Sequence, residues 1–258
     1  MLRVSVLASS SKGNATFVEM DGVRFLIDAG ISTKRIVMGL NDLGVEPESL
    51  SGVLLTHEHV DHVKALPVLV NRFHLPVYSR AATLAALPER EKLPAECLQL
   101  ITDKVSFGRV LVETFNISHD AADPVGFRII GSRRCTFATD LGFVSSSVQE
   151  ALDAADVLVL ETNHDIELLK NGCYPWPTKR RIMSDKGHLS NNDAAWALAR
   201  LKKPPQAVFL AHLSEENNEP QLAVDTVRKI IADQGGSATE TKLILSHPDK
   251  MVGLADIQ

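Results

Sequence analysis

Residues 56–62 read Thr-His-Glu-His-Val-Asp-His, and no other stretch constrains what this chain can fold into so tightly. His57, His59, Asp61 and His62 place four ligand-type side chains within six positions, directly after the apolar run Val53-Leu54-Leu55. In an extended segment alternate side chains share a side, so His57 and His59 can address one point while Asp61 and His62 address another. Imidazole nitrogen and carboxylate oxygen suit a divalent ion such as zinc, manganese or iron. A ligand cluster this dense requires a scaffold that brings further ligands to the same place.

The rest of the chain supplies one. The apolar runs Val110–Phe115, Cys135–Thr139, Asp156–Leu160 and Ala207–Ala211 read as strands. They end at or near His119, Asp140, Glu161 and His212 respectively. Titratable residues converging at strand ends are how α/β folds build sites. Leu2–Leu7 reads as a further strand, and Ala15–Glu19 and Val23–Asp28 as a hairpin about Asp21-Gly22. Helices are expected over Ser32–Leu43, from Ser190 through Lys202, and from Pro220 to Gln234. No repeat, low-complexity tract or Pro/Ser-rich linker divides the 258 residues, so one domain over 1–258 is expected.

Composition removes other classes. With 45% hydrophobic and 23% charged residues the chain is neither disordered nor fibrous. No apolar run approaches the roughly 18 residues of a membrane span, and Val4–Ala8 is too short for a signal-peptide core. Cys97, Cys135 and Cys173 are far apart and odd in number, which excludes a disulfide framework and points to the reducing cytoplasm. A net charge of −5 gives no overall basic footprint for nucleic acid, though it leaves room for a local one. Oligomeric state is not legible.

The order His57, His59, Asp61, His62, His119, Asp140, His212, with Asp28 in Leu26-Ile27-Asp28-Ala29-Gly30 ahead of it, resembles the metallo-β-lactamase fold superfamily over essentially the whole chain. The resemblance implies an α/β fold, an αββα four-layer sandwich of two mixed sheets flanked by helices. It also implies two divalent metal ions, manganese or zinc first and iron or magnesium next. One ion would take His57, His59 and His119, the other Asp61, His62 and His212. Asp140 would bridge them, and Asp28 would support the loop. His188 competes with His212, since both precede Leu-Ser; only His212 ends a strong apolar strand.

Further motifs select a branch. The loop Ala8–Asn14, Glu161-Thr162-Asn163-His164-Asp165, Gly172-Cys173-Tyr174-Pro175, Gly187–Asn191 and His212–Asn218 together look like the bacterial WalJ (YycJ) exonuclease-like family. That likeness implies a DNA exonuclease, 5′ to 3′, with a repair role. Glu161 and His188 also resemble a Glu/His pair of the tRNA 3′-processing ribonucleases of this fold. There Glu161 would hold His188 as imidazolium, a general acid for the leaving oxygen, while Asp61 orients the nucleophile. The alternative is a loop anchor and a helix cap.

Substrate contacts are expected from three places. Ser9, Ser10 and Asn14 lie in a glycine-containing loop that either cradles phosphate or simply turns. His164 either touches phosphate or packs. Lys179, Arg180 and Arg181 belong to a basic stretch with Tyr174 and Trp176 interleaved, suited to tracking a nucleic-acid backbone, DNA ahead of RNA. Asp140 and His212 are only 72 residues apart, which leaves no room for a β-CASP insertion. The rival reading is a small-molecule metallo-hydrolase: a cyclic phosphodiesterase, thioesterase or lactamase.

Overall fold

The computed structural model describes residues 1–153 and 155–257. Two seven-stranded sheets face each other. The first is built from β1 (Leu2–Ala8), β2 (Ala15–Met20), β3 (Val23–Ile27), β4 (Gly52–Leu54), β5 (Val77–Ser79) and β6 (Leu98–Leu100) in that order, with β14 (Val252–Ile257) outside β1. The second contains β7 (Lys104–Phe107), β8 (Val110–Asn116), β9 (Val125–Ile130), β10 (Arg134–Ala138), β11 (Val157–Glu161), β12 (Ala207–Ala211) and β13 (Lys242–Leu245), in order from one edge to the other. Both are mixed. β3 through β6 and β10 through β13 run parallel, and the remaining pairs are antiparallel.

Sequence pattern explains the layers. β11 and β12 are apolar throughout and buried on both faces, as parallel strands covered by helices must be. Val157 and Val159 point between the sheets, while Leu158 and Leu160 point outward to helices. Three buried clusters result. One lies between the sheets. A second joins the first sheet to α1 (Thr33–Asp42), α2 (Val60–Val63), α3 (Leu66–Phe73) and α4 (Ala81–Ala86). A third joins the second sheet to α5 (Ser146–Asp153), α8 (Asn191–Ala199) and α9 (Pro220–Asp233). Short α6 (Ile166–Asn171) and α7 (Trp176–Ile182) bridge β11 to α8 along the chain. This is the expected αββα sandwich.

Element ends moved by a few residues for physical reasons. β3 stops at Ile27 because Asp28 turns into the left-handed region at φ 59°. The helix expected through Lys202 ends at Ala199, where the Arg200 N–H closes the last turn on carbonyls of its own helix. Among the described residues no helix is long and apolar enough to cross a membrane.

Candidate metal centre

Asp28, Asp140 and His212 share a local conformation. Each follows a strand end, after β3, β10 and β12, and each has positive φ: 59°, 60° and 55°. Asp and His tolerate this region better than most L-residues, but it still carries a cost that persists where the surroundings enforce it. The reversal turns the chain sharply and leaves each side chain at the same end of the sandwich. Gly30 completes the base of the site: a Cβ there would lie 1.5 Å from the Asp61 carbonyl oxygen.

Six imidazoles meet there. Ring centroids lie 4.6 Å apart for His57–His59, 4.1 Å for His57–His62 and 5.1 Å for both His57–His119 and His59–His119. His188 stands 5.2 Å from both His119 and His212. Five of the rings are anchored by one nitrogen, His188 Nδ1 on Glu161 Oε1 at 2.7 Å among them. His62 Nδ1 lies 2.8 Å from Asp28 Oδ2, His57 Nδ1 3.0 Å from Thr56 Oγ1, His119 Nδ1 3.2 Å from the Gly187 carbonyl and His212 Nδ1 2.9 Å from Glu161 Oε1. Carboxylates and carbonyls only accept, and the Thr56 hydroxyl hydrogen faces Asp28 at about 3 Å. Each Nδ1 therefore carries a hydrogen, which leaves Nε2 as the nitrogen that can give up its proton for a metal. Fixing the tautomer through an outer partner is how proteins prepare imidazole for a metal.

The free atoms converge. His57, His59 and His119 offer ligand atoms within 4.8 Å of one another, as do Asp61, His62 and His212, and His57, His62 and Asp140. His57 Nε2, His212 Nε2 and Asp140 Oδ2 are buried without a hydrogen-bond partner. A buried orphan of this kind is costly unless something else fills its valence. Three on one cluster of nitrogen and carboxylate donors fit a divalent metal.

Glu161 organises the neighbouring corner. It is completely buried, and four donors satisfy it. Oε1 accepts from His188 Nδ1 at 2.7 Å and His212 Nδ1 at 2.9 Å, while Oε2 accepts the amides of Leu141 at 2.9 Å and Leu189 at 3.1 Å. Burial alone would raise its pKa; the facing imidazoles of His188 and His212 instead hold it well below the carboxylate range. The converse holds for the rings. Burial pulls His188 down, yet Glu161 lifts it above its ordinary value. Burial likewise opposes His212, which Asp140, Asp61 and Glu161 raise to about 10. His62 is also raised, by Asp140, Asp28 and Asp61 against burial. His57 goes the other way: burial and its neighbouring imidazoles push it well below the usual value.

The expected substrate contacts are placed less openly. Ser9 is buried; its Oγ donates to Asn14 Oδ1 and accepts the His212 amide at 2.7 Å. Ser10 is buried and its Oγ accepts the Lys12 amide. Asn14 lies against His62 Nε2 at 3.2 Å and Asp61 Oδ2 at 3.4 Å. This loop braces the ligands rather than lying open to phosphate. His164 is 2% exposed, its backbone paired with Ser190, and burial lowers its pKa to about 4; it packs. Lys179 is a correction: its ammonium is turned inward, donating to the carbonyls of Lys170 and Gly172 at 2.7 Å, so it ties α6 to α7. Arg180 and Arg181 are exposed.

Two supporting residues were not singled out from sequence. Thr56 locks Asp28 to His57, and its only signal was its place at the head of the motif. Asp120, next to His119, puts Oδ1 3.4 Å from His119 Nε2 while Oδ2 accepts Arg181 Nε at 2.6 Å. Arg181 thus stands one carboxylate away from the histidine cluster.

Comparison with known proteins identifies the family. A family profile described as "Beta-lactamase superfamily domain" matches residues 23–213. The chain is 38% identical over 255 residues to exodeoxyribonuclease YycJ of Bacillus anthracis, covering 97% of each. It is 34% identical over 264 residues to exodeoxyribonuclease WalJ of Streptococcus pneumoniae, covering 99% of this chain and 98% of the relative. Among solved structures, the metallo-beta-lactamase fold protein YhfI of Bacillus subtilis aligns with a TM-score of 0.68, covering 98% of this chain and 99% of that one at 16% identity, a likeness of fold.

Proposed function

The chain belongs to the beta-lactamase superfamily, within it to the YycJ/WalJ family, and from that premise we propose that it is a two-metal exodeoxyribonuclease. The observation that carries the reading is the Glu161–His188 contact beside the ligand cluster. His188 is the one imidazole of the pair sharing Glu161 that retains exposure, 15% against 2% for His212. Its Nδ1 is committed to Glu161, so Nε2 is the atom available to a substrate.

In this reading His57, His59 and His119 would hold one ion, Asp61, His62 and His212 would hold the other, and Asp140 would serve both. The ions, manganese or zinc first, would lower the pKa of an attacking water and neutralise charge on the phosphoryl oxygens. The protein's own groups do the remainder. Glu161 stays ionised and keeps His188 protonated, so Nε2 can pass its proton to the departing deoxyribose oxygen. A donor of this kind contributes about 10²–10⁴-fold. Asp61, whose pKa the facing His62 and His212 hold well below the carboxylate range against the effect of burial, accepts a hydrogen bond from the nucleophile and orients it. Arg181, aligned by Asp120, contacts the backbone phosphate next to the scissile one, and Arg180 a phosphate beyond it.

The 5′ to 3′ direction and a role in DNA repair extend the family resemblance to this chain. A cytoplasmic setting is supported by three unpaired thiols, Cys97, Cys135 and Cys173. The test is a panel of end-labelled single- and double-stranded DNA and RNA with Mn²⁺, Zn²⁺ and Mg²⁺ in turn. Mononucleotide release from DNA ends is the expected result. Turnover of a cyclic phosphodiester or a thioester, with DNA left intact, would overturn the reading.

A further inference from the structure

A cavity of about 420 Å³ opens between the 142–144 segment, the 185 turn and the outer face of α8. Its walls continue the segments that build the metal centre. Gly142 and Phe143 follow Asp140 by two and three residues, and Asp185 precedes His188 by three. α8 is capped at its start by Ser190, which pairs with His164. The walls are locked to the site as well. The Gly142 amide donates to the Ser118 carbonyl at 2.9 Å, and Ser118 Oγ donates to the Asp185 carbonyl at 2.6 Å. A Cβ on Gly142 would fall 2.2 Å from the Asp185 carbonyl group, so only glycine lets these two strands of backbone touch. The groove walls are thus tied through backbone contacts to the segments that carry the centre.

Its chemistry is unusual for this chain. Phe17, Phe25, Phe127 and Phe209 are completely buried, yet Phe143 is 44% and Trp196 39% exposed, both in this one groove. The Arg200 guanidinium lies 5.7 Å from the Trp196 ring centroid and makes no ion pair among the described residues. Asp193, Trp196 and Arg200 are exposed along one face of α8, and Asp185 faces them across the groove. An aromatic face with a free cation at one end suits a nucleobase and its phosphate. Carboxylates at the other end repel phosphate but can accept hydrogen bonds from exocyclic amino groups of a base. A protein with net charge −5 cannot rely on general attraction for a polyanion, so stacking is a fitting source of grip.

We propose that this groove seats one unstacked nucleobase of a single-stranded nucleic-acid substrate, stacked on Trp196 with Phe143 completing the apolar wall and Arg200 on the adjoining phosphate. The proposal rests on the nuclease reading and adds a place where the polymer is held away from the scissile bond.

The experiment compares wild type with Trp196→Ala, Trp196→Phe, Phe143→Ala and Arg200→Ala on a single-stranded oligonucleotide and on bis(p-nitrophenyl) phosphate, in the same metal. Alanine replacement of a stacking residue costs about 1–3 kcal/mol per base, so Trp196→Ala should raise KM for the oligonucleotide about 5- to 150-fold. Its kcat and its activity on the small diester should stay at wild-type values, and Trp196→Phe should restore most of the loss. An abasic site walked along the oligonucleotide gives a second readout. One position should cost the wild type the same factor and cost Trp196→Ala nothing, which a merely structural tryptophan would not produce. Equal KM for wild type and Trp196→Ala on DNA that the wild type cleaves removes the groove and leaves the nuclease reading standing. A wild type that cleaves no nucleic acid removes both. A change from dimer to monomer on Trp196→Ala would assign the groove to a second copy of this chain and overturn the proposal.

Discussion

The two sides of Asp140 use the same side chain in opposite electrostatic settings. On one side His57, His59 and His119 crowd together, and burial with mutual repulsion pushes His57 well below its ordinary pKa. On the other, His188 and His212 both donate to Glu161, and their pKa values rise despite burial. A neutral imidazole offers a lone pair, whereas a carboxylate-held one retains a proton. His212 draws on both, because Nδ1 is fixed on Glu161 while Nε2 is left without a partner. The difference between a ligand and a proton donor therefore lies in the groups around the ring. Which nitrogen meets a carboxylate, and whether the other faces the cluster or the solvent, decides the role.

The most direct way to break this comparison is to remove the residue between the two sides. Asp140 Oδ1 lies 3.3 Å from His212 Nδ1 and 3.9 Å from His119 Nε2, and Oδ2 lies 3.3 Å from His62 Nε2. Asp140→Ala should strip both ions and lower turnover by at least about 10⁴-fold, since each half loses a ligand and the charge that balances it. Elemental analysis beside the activity assay checks this. Retention of two ions would mean that the halves are independent sites. Retention of one would mean that one half holds its ion without the bridge.

A smaller effect separates the halves. His188→Ala should leave the metal content unchanged and cut DNA hydrolysis by about 10²–10⁴-fold, the usual contribution of a positioned acid. A nitrophenyl phosphodiester should be nearly unaffected, because nitrophenolate departs without protonation. Loss of metal in this variant would make His188 a ligand, and the asymmetry drawn above would disappear.

Much of this was legible in the sequence. The strand ends that carry Asp28, His119, Asp140, Glu161 and His212 were readable because apolar runs stop at polar residues, and the fold moved each boundary by only a few positions. The histidine motif was readable because its ligands are local. The Glu161–His188 pair came from resemblance, and the structure supplied its geometry. What the sequence did not carry was direction. Lys179 looks like its basic neighbours until the chain turns its ammonium onto the Lys170 and Gly172 carbonyls. Ser9, Ser10 and Asn14 read equally as a phosphate cradle or a plain turn, and only the long-range contacts of the loop with Asp61, His212 and His247 show that they are enclosed. Asp120 was one residue from a chosen ligand, but its link to Arg181 spans 61 positions and no local pattern encodes it.

His164 sharpens the comparison with the smallest effect, since it belongs to neither side. It is buried, its Nδ1 has no hydrogen-bond partner, and burial holds its pKa near 4 although Glu161 opposes this. An unfolded histidine titrates near 6.5. Between those values the unfolded chain binds more protons than the folded one, so stability is lost as pH falls from about 6.5 through about 4. His188 has the opposite sign: its raised pKa adds stability that is complete below about 6.5 and lost as pH rises through the folded value. His164→Phe keeps a planar ring and removes the titration. In metal-free protein, thermal melts of wild type and variant should diverge on acidification, with the wild type losing on the order of 3 kcal/mol more by pH 4 or below. His188→Ala should instead diverge from wild type above about pH 6.5, where the wild type loses the stability that Glu161 and the protonated ring contribute as pH rises through the folded value. Parallel curves for wild type and His164→Phe would mean that this imidazole reaches water and can take a proton there. That outcome would return His164 to the substrate face, where a protonated ring beside Glu161 could contact phosphate.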